Sequence, residues 1–159
     1  LQLARAYAIL GNGGYEVQPY LLKKKIKKNI KRKKILSTKT SDQINLMLRK
    51  VVSLSEGTAN FADIDGYEVA GKTGTSVKYN SKAKLNTFVS LFPANRPKYV
   101  LLVMLDEPKS APHLTYFVNG YKVQGIKRNE SGWNSVYVTG KIIEKIGPTL
   151  AINNLQASR

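Results

Sequence analysis

Lys72, Thr73 and Thr75 are the most chemically equipped residues of this 159-residue chain. They lie in the stretch Gly66-Tyr67-Glu68-Val69-Ala70-Gly71-Lys72-Thr73-Gly74-Thr75-Ser76. Val69 and Val77 give it strand propensity. Glycine weakens a strand interior, so Gly71 and Gly74 are expected where a ligand or another backbone comes close. The strand then presents a lysine, two hydroxyls and an uncrowded backbone to a cleft. Period two places Thr73 and Thr75 on one face and starts Lys72 on the other. The Lys72 stem must turn back toward the cleft, or the strand must lie at the cleft's edge. The competing reading is an exposed surface strand in a lysine-rich chain, and the flanking sequence decides between them.

Other reactive residues form no constellation. His113 is the only histidine and reads as a loop residue. Asp106 and Glu107 are adjacent, so on a strand they point to opposite faces and make no carboxylate pair. Asp63 and Asp65 could share a face, but without further oxygen ligands no metal is expected. There is no cysteine, which excludes disulfides and thiolate metal sites. No cofactor is implied. Tyr116, Tyr121 and Trp133 are expected to pack or to line a cleft rim.

The length suits one domain or a large piece of one, and 42% hydrophobic residues allow a real core. The formal charge of +16 suggests an anionic partner such as nucleic acid. The charge is concentrated, however. Residues 23–39 hold ten Lys or Arg and no acid. Few aromatics interleave with them, so base stacking has little to work with. The run reads as a basic exposed loop or hairpin with a solvated surface, and no nucleic acid is expected. No apolar run approaches the ~18 residues of a membrane span. The chain starts at Leu1 rather than Met and shows no signal peptide. It is expected to begin inside a domain, with any targeting or anchoring segment upstream.

The elements that must position the strand follow from pattern. Residues 1–10 carry a helical apolar stripe that ends at Gly11-Asn12-Gly13-Gly14. A short edge strand is expected over 16–22 and another at Ile35-Leu36. Thr40 to Gln43 reads as a capping box. The helix behind it is expected to bury Ile44, Met47, Leu48, Val51 and Val52. Strands over 68–77, 87–92 and 98–105 have short connections and should form an antiparallel meander. The third is apolar on both faces and calls for cover on both. Residues 109–132 read as loop. A last helix over 133–146, with Val136, Ile142, Ile143 and Ile146 inward, should stop at Gly147-Pro148. The fold class is α/β of the α+β type, an antiparallel sheet flanked by helices.

Taken in order, these pieces resemble the C-terminal portion of a penicillin-binding protein transpeptidase domain. Lys72-Thr73-Gly74 matches one of the three motifs of the serine penicillin-recognising enzymes, whose others are Ser-x-x-Lys and Ser-Asp-Asn. The matching phrases are Leu1-Gln2-Leu3-Ala4-Arg5-Ala6-Tyr7 with Asn12-Gly13-Gly14, Gly57-Thr58-Ala59, and Gly66 to Thr75. They continue with Phe88-Val89, Phe92-Pro93, Pro97-Lys98-Tyr99-Val100 and Val103-Met104-Leu105-Asp106-Glu107-Pro108. They span most of residues 1–159. The details look closest to the division-specific class B enzymes, which build septal peptidoglycan.

The resemblance implies the serine β-lactamase/transpeptidase-like fold and acyl transfer through a serine. That serine attacks the penultimate D-Ala carbonyl of a stem peptide, and the acyl group then passes to an amine. The Thr75 backbone N–H would be one of two oxyanion donors, each worth about 3–4 kcal/mol in the transition state. The Thr73 and Thr75 hydroxyls would hold the terminal carboxylate of D-Ala-D-Ala or of a β-lactam. Gly74 would leave the approach clear, and Lys72 would add charge beside that carboxylate. The implied partners are stem peptides, β-lactams, the upstream part of the same domain and cell-division proteins. The implied location is the periplasmic face of the bacterial inner membrane, anchored by an upstream N-terminal span. The only Ser-x-x-Lys, Ser81 to Lys84, follows the third motif in a polar loop and is rejected as the nucleophile. No Ser-x-Asn occurs. The chain alone is therefore expected to be inactive. Two other readings remain at this point: a basic nucleic-acid-binding module, and a related D,D-carboxypeptidase or β-lactamase.

Overall fold

The computed structural model describes residues 1–22, 32–118, 120–125 and 128–157. Most of the basic run, 23–31, lies outside the described residues. The elements are α1 (Gln2–Gly11), α2 (Thr38–Ser53), β1 (Ala70–Val77), β2 (Lys84–Phe92), β3 (Tyr99–Asp106), β4 (Thr115–Val118), β5 (Tyr121–Gln124) and α3 (Ser135–Ala157). Two 3-10 turns, Asn60–Ala62 and Ser131–Trp133, precede β1 and α3.

β1, β2 and β3 form the expected antiparallel meander, in the order β1-β2-β3. Thr73 pairs with Phe88 and Thr75 with Asn86, and Phe88 pairs in turn with Val103. One face of the sheet packs on α3 through Val69, Phe88, Phe92, Val136 and Ile143. On the other, Ala70 and Leu91 meet Leu48 of α2 and Tyr7 of α1. α2 lies beside β1 and feeds both clusters, Leu48 to one and Val52 to the other. Burying such side chains away from water is the main source of stability. Coverage of β3 is incomplete: Tyr99 and Leu101 meet one cluster and Val100 the other, whereas Met104 is exposed.

Several local expectations are corrected. The strands over 16–22 and 35–36 reduce to one bridge, Tyr15 with Lys34. The Val17 carbonyl accepts instead from the Arg5 side chain at 2.6 Å, and Pro19 has no N–H for a ladder. The N–H groups of Ile35 and Leu36 both go to the Gly14 carbonyl. Gly14 has φ +84, and a Cβ there would strike the Leu36 carbonyl. α2 is capped three residues earlier than the sequence suggests. The Ser37 hydroxyl accepts from Thr40 N–H at 3.0 Å, so Thr40 sits in the first turn and is not the cap. Met47, expected in the core, is 65% exposed.

α3 does not stop at Gly147-Pro148 but continues to Ala157. Pro148 removes the bond to the carbonyl of Glu144, which lies on an exposed position where water can serve it. Beyond it, Leu150 packs on the core and its carbonyl accepts from the Tyr99 hydroxyl at 3.5 Å. Within the helix only glycine fits at Gly147, because the Tyr67 ring fills the space of a Cβ. Ile146 is exposed rather than buried. Residues 109–132 are not all loop, since β4 and β5 pair as a hairpin. Asp106 and Glu107 do not diverge either. Glu107 has φ +51, and both carboxylates reach Lys78 Nζ, at 2.6 and 2.9 Å. These bonds raise the Lys78 pKa, the Asp106 hydrogen bond contributing most.

Candidate active site

β1 is placed by what precedes it. Arg49 of α2 donates to the Asp63 carboxylate and to the Val69 carbonyl, both at 2.8 Å, and so fixes the strand's entry. Gly71 is required there. A Cβ would sit 2.5 Å from Phe88 Cζ and from the Val89 carbonyl oxygen. Its absence lets the buried Phe88 ring lie under the strand.

Beyond Gly71 the side chains sort by face. Thr73 and Thr75 line one cavity of about 390 Å³. Its other walls are Thr58, Phe61, Phe117, Glu130, Ser131 and Trp133. The Thr73 hydroxyl shares a 3.0 Å hydrogen bond with the Thr58 hydroxyl. The Thr75 hydroxyl accepts from Ser131 N–H at 3.0 Å. Gly74 lies on the opposite face. A Cβ on it would come within 2.6 Å of Thr87 Oγ1, so the glycine makes room for its β2 partner rather than for anything in the cavity.

Lys72 also starts on that opposite face, yet its ammonium returns around the strand. Nζ donates to the Thr73 carbonyl at 2.9 Å and lies 3.5 Å from Thr73 Oγ1. Both expectations for this residue meet, because β1 pairs only with β2 among the described residues and its other edge is open. In an antiparallel strand one residue's N–H and C=O point to the same side, and residues two apart share it. The Thr73 carbonyl takes the Lys72 ammonium and so faces the open edge. The Gly74 carbonyl takes the Thr87 hydroxyl from β2, at 3.3 Å. Thr75, two residues beyond Thr73, therefore offers its N–H at the open edge too.

The far wall is aromatic and hydroxylic. Trp133, Phe61 and Tyr116 pack with centroids 5.3 to 5.5 Å apart. Arg128 stacks over Trp133 at 4.7 Å, a cation–π contact. Tyr116 is buried, and burial raises its phenol pKa. Glu130 pairs with Lys84 at 2.9 Å, and that bond holds its carboxyl below the usual carboxylate range.

Of the residues singled out in the sequence, the fold brings Lys72, Thr73, Thr75 and Trp133 together. Tyr116 packs behind the cavity, whereas Tyr121 is 76% exposed and neither packs nor lines it. His113 lies in an exposed turn. The Ser81 hydroxyl accepts from Ala83 N–H, while the Lys84 ammonium is engaged by Glu130. Among the described residues no group of His, Cys, Asp or Glu could hold a metal ion. No described helix is long and apolar enough to cross a membrane. Sequence reasoning misses Ser131, Glu130 and Phe117, which stand in a stretch without a period. The Asn119-Gly120 pair between Tyr116-Phe117-Val118 and Tyr121-Lys122-Val123 is the hairpin signal that places Phe117.

Comparison with known proteins adds four findings. The family model described as "Penicillin binding protein transpeptidase domain" matches residues 1–125. The probable peptidoglycan D,D-transpeptidase FtsI of Caulobacter vibrioides is 31% identical over 96% of this chain and 26% of its own length. Stage V sporulation protein D of Bacillus subtilis is 36% identical over 69% of this chain and 19% of its own. The chain thus spans about a quarter or less of these relatives. Among solved structures, the TP domain of penicillin-binding protein 3 from Burkholderia pseudomallei superposes with a TM-score of 0.72 at 28% identity, covering 94% of this chain and 41% of that one.

Proposed function

The chain belongs to the penicillin-binding protein transpeptidase family, and from that membership we propose that residues 1–159 are the C-terminal portion of a peptidoglycan D,D-transpeptidase. In this reading the chain supplies one wall of an acyl-transfer cleft, and the serine and its base come from elsewhere in the same domain. One observation carries it: a free strand edge offers the Thr75 N–H next to a lysine ammonium and two hydroxyls.

The proposed chemistry needs no group the chain lacks on its own wall. The substrate lies along the open edge of β1. Its terminal carboxylate meets the Thr73 and Thr75 hydroxyls, with the Lys72 charge close by. The serine hydroxyl gives its proton to the base as its oxygen bonds to the penultimate carbonyl carbon, and the carbonyl oxygen takes up negative charge; the base later returns that proton to the departing amine. The Thr75 N–H donates to that oxygen. Collapse expels the terminal D-Ala as an amine that takes a proton, and a second strand's amine later receives the acyl group. A β-lactam carries the same pairing of carboxylate and reactive carbonyl, so it would acylate the same serine. The division-specific role, the periplasmic location with an upstream anchor and the association with cell-division proteins belong to the same proposal. They are supported by likeness to the FtsI relatives.

The test is covalent labelling with a fluorescent penicillin. The complete protein is expected to label, and Lys72→Ala to label at least tenfold more slowly, because a charge-assisted bond is lost. Residues 1–159 alone are expected to carry no label. Normal labelling of Lys72→Ala, or any label on the chain alone, contradicts the assignment.

A further inference from the structure

We propose that the turn 130–133 is a positioning device for Thr75, and that Ser131 fixes the Thr75 hydroxyl as a donor to the substrate's terminal carboxylate. The inference rests on the carboxylate-binding role proposed above.

A threonine hydroxyl has one proton and two lone pairs. Ser131 N–H occupies one of the Thr75 lone pairs at 3.0 Å. The hydroxyl proton must then point elsewhere, and it has no acceptor among the described residues. In front of it lies the cavity. A hydroxyl held this way is committed to donate to an anion there, without the entropy lost on freezing a free rotor.

The turn is anchored independently of Thr75. Ser131 Oγ donates to the Thr87 carbonyl at 2.5 Å and lies 2.6 Å from Ser135 Oγ. The Ser135 hydroxyl is also within 3.2 Å of the Ser131 carbonyl, and Thr139 Oγ1 donates to the Ser135 carbonyl at 2.8 Å. Ser131, Ser135 and Thr139 are 1%, 0% and 0% exposed. Buried hydroxyls destabilise unless satisfied, and each of these three has a partner: Ser131 the Thr87 carbonyl, Ser135 the Ser131 residue, and Thr139 the Ser135 carbonyl, in a run leading into α3. The approach to the turn is pinned as well. Lys84 Nζ reaches Glu130 at 2.9 Å, and Asn86 Nδ2 donates to the Asn129 carbonyl at 3.0 Å. Lys84, Asn86 and Thr87 all belong to β2, the strand that pairs with β1 and sets Thr75 opposite Asn86. Strand and turn are thus held to one frame, and the 3.0 Å contact between them follows from it.

The measurement is the acylation rate of the complete protein by a penicillin with a free carboxylate, divided by its rate with the methyl ester of the same penicillin. Ser131→Ala keeps the N–H but removes the hydroxyl anchors, and it is expected to lower that ratio by about tenfold. Ser135→Ala removes the hydroxyl partner of Ser131 Oγ outside the cavity, leaves the cavity's charge unchanged and is expected to lower the ratio less. Thr75→Val is expected to collapse the ratio. If Thr75→Val collapses it while Ser131→Ala and Ser135→Ala slow both penicillins equally, the turn is only structural and the positioning inference fails by itself. If Thr75→Val leaves the ratio unchanged, the carboxylate reading fails and the inference with it. Should Ser131→Ala not fold, Ser135→Ala decides.

Discussion

The Lys72 ammonium donates to the Thr73 carbonyl at 2.9 Å, although the two side chains leave β1 on opposite faces. Only an open strand edge permits this, because a paired neighbour would occupy the carbonyl and block the path. The bond therefore reports on backbone orientation as well as on charge. It sets the Thr73 carbonyl, and with it the Thr75 N–H, at the free edge. Arginine cannot reproduce it. A planar, forked guanidinium does not replace a compact ammonium on a flexible four-carbon stem folded back on its own strand. Lys72→Arg in the complete protein is expected to retain the fold and to slow penicillin acylation about tenfold or more. Stopped-flow acylation rates beside thermal melting check both halves, and wild-type rates for the arginine variant would contradict the geometry.

A second prediction concerns Gly71. The space of its missing Cβ is taken by Phe88 Cζ and the Val89 carbonyl oxygen, each 2.5 Å away. Phe88 is fully buried between β1 and α3, so neither neighbour moves freely. Gly71→Ala is expected to destabilise by about 1–3 kcal/mol, the usual range for overpacking. Denaturant unfolding of the complete protein measures it. An unchanged midpoint would mean that the strand and the ring are not packed as described.

Much of this arrangement is legible in the sequence. Lys72, Thr73 and Thr75 announce themselves by type and spacing, and the meander follows from three short-linked strands. Period two even poses the Lys72 problem that the open edge solves. What escapes has physical causes. Pro148 does not stop α3 because Leu150 beyond it packs against the core. The Thr40 capping box competes with a better cap, Ser37, three residues upstream. Glu107 reaches Lys78 through a left-handed backbone, which no alternation rule foresees. Ser131 has no sequence signal, because its function depends on where β2 lies and not on its neighbours.

A third prediction follows from Glu130. Its pKa is lowered in the folded protein, first by the hydrogen bond from Lys84. A depressed carboxylate pKa contributes stability that is present above the unfolded-state value and is lost as pH falls through the folded one. Glu130→Gln should therefore melt below wild type at neutral pH. The gap between them should close as pH falls through and below the ordinary carboxylate range, about 4.3 for glutamate. The pair is partly solvated, so the effect is small and weakens with salt. A gap that stays constant with pH would show that the ion pair contributes nothing there.

The central claim is that β1 is the substrate and oxyanion wall of an acyl-transfer cleft. The most direct measurement is a crystal structure of the complete protein acylated by a penicillin. The acyl carbonyl oxygen is expected about 2.7–3.1 Å from Thr75 N, the range of a working oxyanion donor. The penicillin carboxylate is expected on the Thr73 and Thr75 hydroxyls, with the Lys72 ammonium beside it. An acyl oxygen directed away from β1, or a carboxylate seated on other residues, would contradict the account.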